Sequence, residues 1–544
     1  MPLERSLKFS ATFLSCFAVL SLAGAATNVL TWHNDKARTG QNLKETQLTP
    51  ANVNATNFGK LFQINVDGNV YAQPLIVTAV TLPNQTVHNV VIIATEHDTV
   101  YCRDADTGAA LWRKSMLNLG ETASDPRNCS QIIPEIGITA TPVIDLATGP
   151  HGTIYVVAMS KNGSSYFQRL HALDLTTGAE QFGGPVDIAA SYPGTGVNNN
   201  GQGSVVFDPK QYKERVGLVL NGGIVYTFWA SHCDISPFTG WVIGYNKNTL
   251  ARVRVLNLTP NGSHGAIWAS GAAPAVDTVG NIYTLVADGT FDTSLNSNRF
   301  PSMGDFGNCI VKLSNVNGSL SVADYWTMYN TLAESSADED LGSGGAMLLP
   351  DMIDVNGVTR HLLVGAGKDA HIYIANRDNL GKFRPTSNGT LYQDVSGALA
   401  HGVWGAPAYF NGHLYYGAVS DQLKSFVFAN ARLKPTPSSA TALTFPYPGT
   451  IPSVSANGTQ NAIVWAARNG TPAELHAFDA NNLATELYSS TDAGSRDSFG
   501  NGNKFAVPTI ANGKVYVGST SSIGVFGLFN PPHLSGAAAV IEIR

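Results

Sequence analysis

Apolar positions along this chain fall in short runs rich in Val, Ile and Tyr, interrupted by Gly, Asn and Asp. An amphipathic helix would need apolar residues every three to four positions across a window of about 11–18 residues, and that spacing is nearly absent. Short runs bounded by turn residues predict strands instead. The strands recur in a fixed order. One unit reads residues 71–77 (YAQPLIV), 89–95 (NVVIIAT), 99–105 (TVYCRDA) and 108–115 (GAALWRKS), and it returns at 137–145, 153–159, 169–174 and 178–186. The third strand is the clearest, as VYCRDADTG, LHALDLTTG, VIGYNKNTL, IVKLSNVNG, IYIANRDNL and LHAFDANNL, with weaker forms at 423–430 and 522–529. First strands are expected near residues 71, 137, 201, 267, 340, 402, 452 and 505, which makes eight units.

A four-stranded antiparallel unit repeated in this way predicts an all-β protein, an eight-bladed β-propeller occupying residues 26–544 as a single domain. A string of β-sandwiches would need linkers between units, and none is visible; the Pro/Ser stretch 434–439 suits a long loop. Closing the ring removes exposed edges. Residues 31–40, or the C-terminal AAAVIEIR, are expected to supply the closing outer strand.

Composition narrows the partners. Charged residues are 13% of 544 and the formal net charge is −6, with no basic run, which excludes a nucleic-acid footprint. Arg5 and Lys8, the uncharged stretch 9–22 and Ala23-Gly24-Ala25 form a secretory signal pattern, so cleavage near Ala25 and a secreted or periplasmic location are expected. No later run is apolar over the 18 or so residues that a membrane span takes. Four cysteines remain beyond the signal, Cys102, Cys129, Cys233 and Cys309, too few for a disulfide framework. Cys233 and Cys309 occupy similar places in adjacent units and are the pair expected to meet. Ten N-x-S/T sequons make glycosylation an expectation in an exported chain.

Topology then locates the chemistry. In an antiparallel blade the start of the first strand and the end of the second share one face of the ring. Second-strand ends carry His97-Asp98, Lys161, His232, Asp288, Lys368-Asp369, Asp421 and Arg468, while first-strand starts carry Gln73, Trp268 and Trp404. One channel mouth is thus lined with charge and aromatics, which suits a small-molecule site.

With these residues in view, the chain resembles the pyrroloquinoline-quinone-dependent alcohol dehydrogenases. TWHNDKARTGQN at 31–42 and LTPANVNATNFGKL at 48–61 are similar to that family's opening segment. The resemblance implies a tryptophan under the quinone at Trp268, in GAIWASG. It implies calcium ligands at Asp288, in VADGTFD, and Asp234, in WASHCDISPFTGW, with a catalytic aspartate at Asp305, in GDFGNC. Lys368, in VGAGKDAHIYIA, matches the contact to a quinone oxygen, and Gln73 and Trp404 join the cofactor contacts. Three departures stand out. The adjacent Cys-Cys pair is reduced to Cys129, a cofactor-pairing arginine falls at Glu135-Ile136, and a glutamate becomes Gln73. The implied activity is oxidation of an alcohol or similar small molecule by hydride transfer to bound pyrroloquinoline quinone, with Ca2+ as Lewis acid and a separate electron acceptor, since no C-x-x-C-H haem motif occurs. The alternative is a non-catalytic propeller binding a protein, glycan or other ligand. A hydrolase would need a nucleophile motif such as G-x-S-x-G, which is missing.

Overall fold

Strand pairing in the computed structural model, which describes residues 26–531, builds an eight-bladed β-propeller of small antiparallel sheets. The expected signal segment, residues 1–25, and the C-terminal AAAVIEIR lie outside the described residues. The first blade is Leu75–Thr81, Val87–Ala94, Thr99–Asp104 and Ala110–Ser115, paired in sequence order. Its last turn shows why the DADTG pattern repeats. Asp104 accepts hydrogen bonds from the backbone N–H of Asp106 and Thr107 and from the Thr107 hydroxyl, and Gly108 takes φ 77°, which glycine adopts without a Cβ penalty. Asp174 repeats the arrangement with Thr176 and Thr177 in the second blade. Neighbouring blades dock through these turns, since the Trp112 indole donates to the Leu175 carbonyl at 3.0 Å and lies against Gly178.

The ring is closed by Phe58–Asn65, the outer strand of the eighth blade, antiparallel to Ser522–Leu528. This corrects the expectation for residues 31–40, which do something else. The segment from Val29 to Asn42 runs around the base of the channel and bonds to the inner strands in turn. Val29 exchanges backbone bonds with Ile76 of blade one, and the Ile144 N–H of blade two donates to Leu30. Trp32 packs on Gly217 of blade three. Val276, Leu348, Tyr409 and Val454, of blades four to seven, donate to Lys36, Ala37, Thr39 and Gly40, and the Asn42 amide reaches the Ile510 carbonyl of blade eight. Buried Arg38 braces the loop by donating to the carbonyls of Pro274, Trp32 and Asp35.

Two further expectations are corrected. The third blade's inner strand is not at 201, which lies between the paired segments Ser191–Pro193 and Ser204–Val206; it is Lys213–Glu214 and Val219–Asn221. Nor do Cys233 and Cys309 meet. Cys129 is bonded to Cys233, with their Cα atoms 5.4 Å apart, while Cys309 is a buried free thiol donating to the Gly307 carbonyl. One sequon is closed to glycan, because Asn257 is buried with its amide on the Thr239 hydroxyl.

Candidate functional site

Three carboxylates converge at one mouth of the channel. Asp234 follows the second strand of blade three (Ile224–Ala230), Asp288 follows that of blade four (Ile282–Leu285), and Asp338 precedes the first strand of blade five (Met347–Leu348). Each offers an oxygen within 4.8 Å of the others. Asp234 is bonded to the Ser231 hydroxyl at 2.9 Å, and Asp288 to His264 Nδ1 at 3.2 Å. That bond raises the His264 pKa, which burial alone would lower, so the imidazolium is favoured beside the cluster. Cys233, Asp234, His264 and Asp338 all have φ between 47° and 61°. Left-handed backbone costs a non-glycine residue about 1–2 kcal/mol, and such strain persists where the surroundings over-determine it, commonly at functional sites.

Beside the trio lies a second unit. Lys368 Nζ sits 2.5 Å from Asp338 and 2.6 Å from Asp340, and the Trp268 indole N–H donates to Asp340 at 3.3 Å. Burial pushes the Asp340 carboxyl up to about 7 against the pull of Lys368. Burial pulls Lys368 down, but the two aspartates outweigh it and hold its pKa above the usual lysine value. Trp268 enters the short 3-10 turn Ala269–Gly271, whose Ser270 donates to the Ser343 carbonyl, so the indole is fixed between blades four and five. Trp404 is adjacent, because Gly402 brings both its ring and the Lys368 backbone close.

Behind Asp234 the inner strand of blade three buries Lys213, Glu214 and Arg215. Arg215 donates to the carbonyls of Thr139 and Ser270 and lies over the rings of Tyr71 and Phe505. Lys213 Nζ and both ring nitrogens of His232 find no hydrogen-bond partner. Burial and then Arg215 lower Lys213 to about 7, with Asp234 opposing, and burial brings His232 to about 2. Unpaired buried polar groups of this kind are costly unless a partner meets them.

The segment 126–136 is tethered beside this site. Cys129 ties it to blade three, Lys504 Nζ donates to the Ser130 carbonyl at 2.9 Å, and the Asn69 amide donates to Ile133 at 2.7 Å. Ile132 and Ile136 pack into the same apolar cluster as Tyr71, Phe505 and Val507.

Of the residues nominated from sequence, Asp234, Asp288, Trp268, Lys368 and Trp404 lie together. Gln73 and Asp305 do not. Gln73 is buried with its amide spent on the His33 N–H (2.8 Å) and the Thr509 hydroxyl (3.0 Å), so it anchors the N-terminal loop. Asp305 accepts the Asn261 N–H at 2.9 Å; burial raises it to about 6, and the acid acting on it is Asp292 rather than the trio. Sequence reasoning missed Asp338 and Asp340, although the run Asp338-Glu339-Asp340 just before a first strand was a usable signal in a chain with 13% charged residues.

No protein-family model and no curated protein matches this chain. Solved structures do. A quinohemoprotein alcohol dehydrogenase from Comamonas testosteroni superposes with TM-score 0.60 at 14% identity, covering 96% of this chain and 83% of that one. A quinohemoprotein alcohol dehydrogenase from Pseudomonas putida HK5 gives 0.58 at 14%, covering 94% and 81%. A europium-containing methanol dehydrogenase gives 0.59 at 12%, covering 92% and 98%. The shared fold is therefore that of quinoprotein alcohol and methanol dehydrogenases, at an identity that speaks to fold alone.

Proposed function

We propose that this protein is an exported, metal-dependent oxidoreductase of the quinoprotein type, acting on an alcohol or similar small organic substrate. The observation that carries the reading is the trio Asp234, Asp288 and Asp338, with oxygens within 4.8 Å, set beside Trp268 and the Lys368–Asp340 pair. Three carboxylates so close repel one another, and a hard cation such as Ca2+ or a lanthanide offsets that repulsion with the oxygen ligands it prefers. The residues also fit pyrroloquinoline quinone, a planar tricarboxylate. Trp268 offers an aromatic platform, Lys368 and Arg215 offer positive charge, and Lys213 offers an unpartnered donor.

When bound, the quinone supplies the acceptor for a hydride and its electron pair. The chain does the rest. Asp234, Asp288 and Asp338 hold the cation against the site. Lys368 Nζ keeps a positive charge where negative charge develops. Asp340, whose Oδ1 accepts the indole N–H and whose Oδ2 pairs with Lys368, is the base we assign to the substrate hydroxyl proton in place of Asp305. A separate electron acceptor reoxidises the protein, since the sequence carries no haem motif.

A second reading, a ligand-binding propeller without redox chemistry, draws on one observation: Lys368 is already paired with two aspartates. Steady-state dye reduction with alcohols, after loading with Ca2+ and the quinone, separates the two. Turnover lost at least 100-fold in Asp288→Asn supports the oxidoreductase, while metal binding without turnover supports the second reading.

A further inference from the structure

We propose that the Cys129–Cys233 disulfide positions the metal ligand Asp234, joining the segment 126–136 and the metal site into one mechanical unit. This rests on the reading of Asp234 as a ligand. Asp234 directly follows Cys233, and both are left-handed, at φ 53° and 47°. Local bonds hold this turn only loosely. The Ser231 hydroxyl donates to Asp234 at 2.9 Å, the Asp234 N–H returns to that hydroxyl at 3.3 Å, and the Ile235 N–H reaches the His232 carbonyl at 3.2 Å. All of these lie within five residues of one another, so none ties the turn to a distant element. The disulfide does, across 104 residues of sequence.

Its far end is held from several sides. Next to Cys129, the carbonyls of Ser130 and Gln131 accept from Lys504 Nζ, and Ile133 accepts from both the Tyr71 hydroxyl and the Asn69 amide. Ile132 and Ile136 are packed against Tyr71, Phe505 and Val507. Blades one and eight therefore fix Cys129, and the disulfide passes that constraint to the residue before Asp234. Without the bond, Cys233 and Asp234 are free to relax toward ordinary backbone, which withdraws one carboxylate from a site that has three.

Access makes the link addressable. Cys233 is exposed, whereas the free thiols Cys102 and Cys309 are fully buried. A dithiol such as dithiothreitol gives two electrons and two protons to the disulfide, leaving two cysteine thiols and itself a cyclic disulfide, and the other cysteines are not touched.

The test is a Tb3+ titration of the full chain, followed by sensitised luminescence, in oxidised, reduced and reoxidised protein. The expected result is a loss of Tb3+ affinity of about tenfold or more on reduction, recovered on reoxidation, with Cys129→Ser weak whether or not dithiol is present. Recovery on reoxidation makes the wild-type comparison sufficient if the variant fails to fold. Equal affinity, within twofold, in the oxidised and reduced protein overturns the inference and leaves the metal site standing. Oxidised protein that binds no Tb3+, or binds it undiminished in Asp288→Asn, overturns the metal site itself and this inference with it.

Discussion

Asp340 and Asp305 have the same side chain, and their surroundings separate them. Asp340 lies between Trp268 and Lys368, while Asp305 is held by the Asn261 backbone. Asp340→Asn is expected to abolish quinone reduction, and Asp305→Asn to keep it within about tenfold of wild type, read as kcat in a dye assay. Glu96 allows a cleaner electrostatic test away from the trio. It is 1% exposed, one of its oxygens has no partner, and burial pushes its carboxyl from 4.5 up to about 8. The folded state therefore holds a proton that the unfolded chain releases at lower pH. The stability this contributes is full below about pH 4.5 and lost as the pH rises through about 8. Glu96→Gln, always neutral, should remove that slope and be the more stable protein above pH 8 in urea melts; equal slopes in the two proteins would show that Glu96 is not the source. Residue by residue, topology put Asp288, Trp268 and Lys368 on one face because strand ends converge there, and Asp234 was nominated by the family resemblance alone. It did not disclose Gln73's duty, because what engages Gln73 is a backbone N–H forty residues away in an irregular loop.

At the level of elements, periodic segments were legible and aperiodic ones were not. The third strands, with their Asp/Asn turns, announce themselves through side chains that bond to their own backbone. The loop from Val29 to Asn42 meets the blades mainly through main-chain carbonyls, which leave no pattern in the sequence. Its internal brace is Arg38, fully buried among carbonyls. Replacing it with methionine leaves those acceptors unpaired and should cost about 3 kcal/mol or more in denaturant unfolding, well beyond the effect of an exposed Arg→Met change. A loss below about 0.5 kcal/mol would mean that the loop does not depend on Arg38.

For the whole molecule, the repeat number and ring were readable from spacing, but the seam was not. Any short alternating strand near either terminus could have closed the ring, and Phe58–Asn65 does so in register with Ser522–Leu528. Ile64, 3% exposed on that strand, is the apolar residue to perturb. Ile64→Asp should raise hydrogen exchange first at residues 522–528, before the inner strands of other blades, because an opened seam frees an edge. Uniform acceleration around the ring would place the weak point elsewhere. The ring brings carboxylates from three blades together at one mouth, beside Trp268, and the proposed function makes that mouth a quinone site. The direct test is a titration of pyrroloquinoline quinone into the protein, followed by visible absorption, with Ca2+ and again with a chelator. One equivalent should bind with Ca2+, with a shifted quinone spectrum, and affinity should fall at least tenfold with the chelator or in Asp234→Asn. A spectrum identical to free quinone, or binding indifferent to metal and to Asp234, would contradict the account.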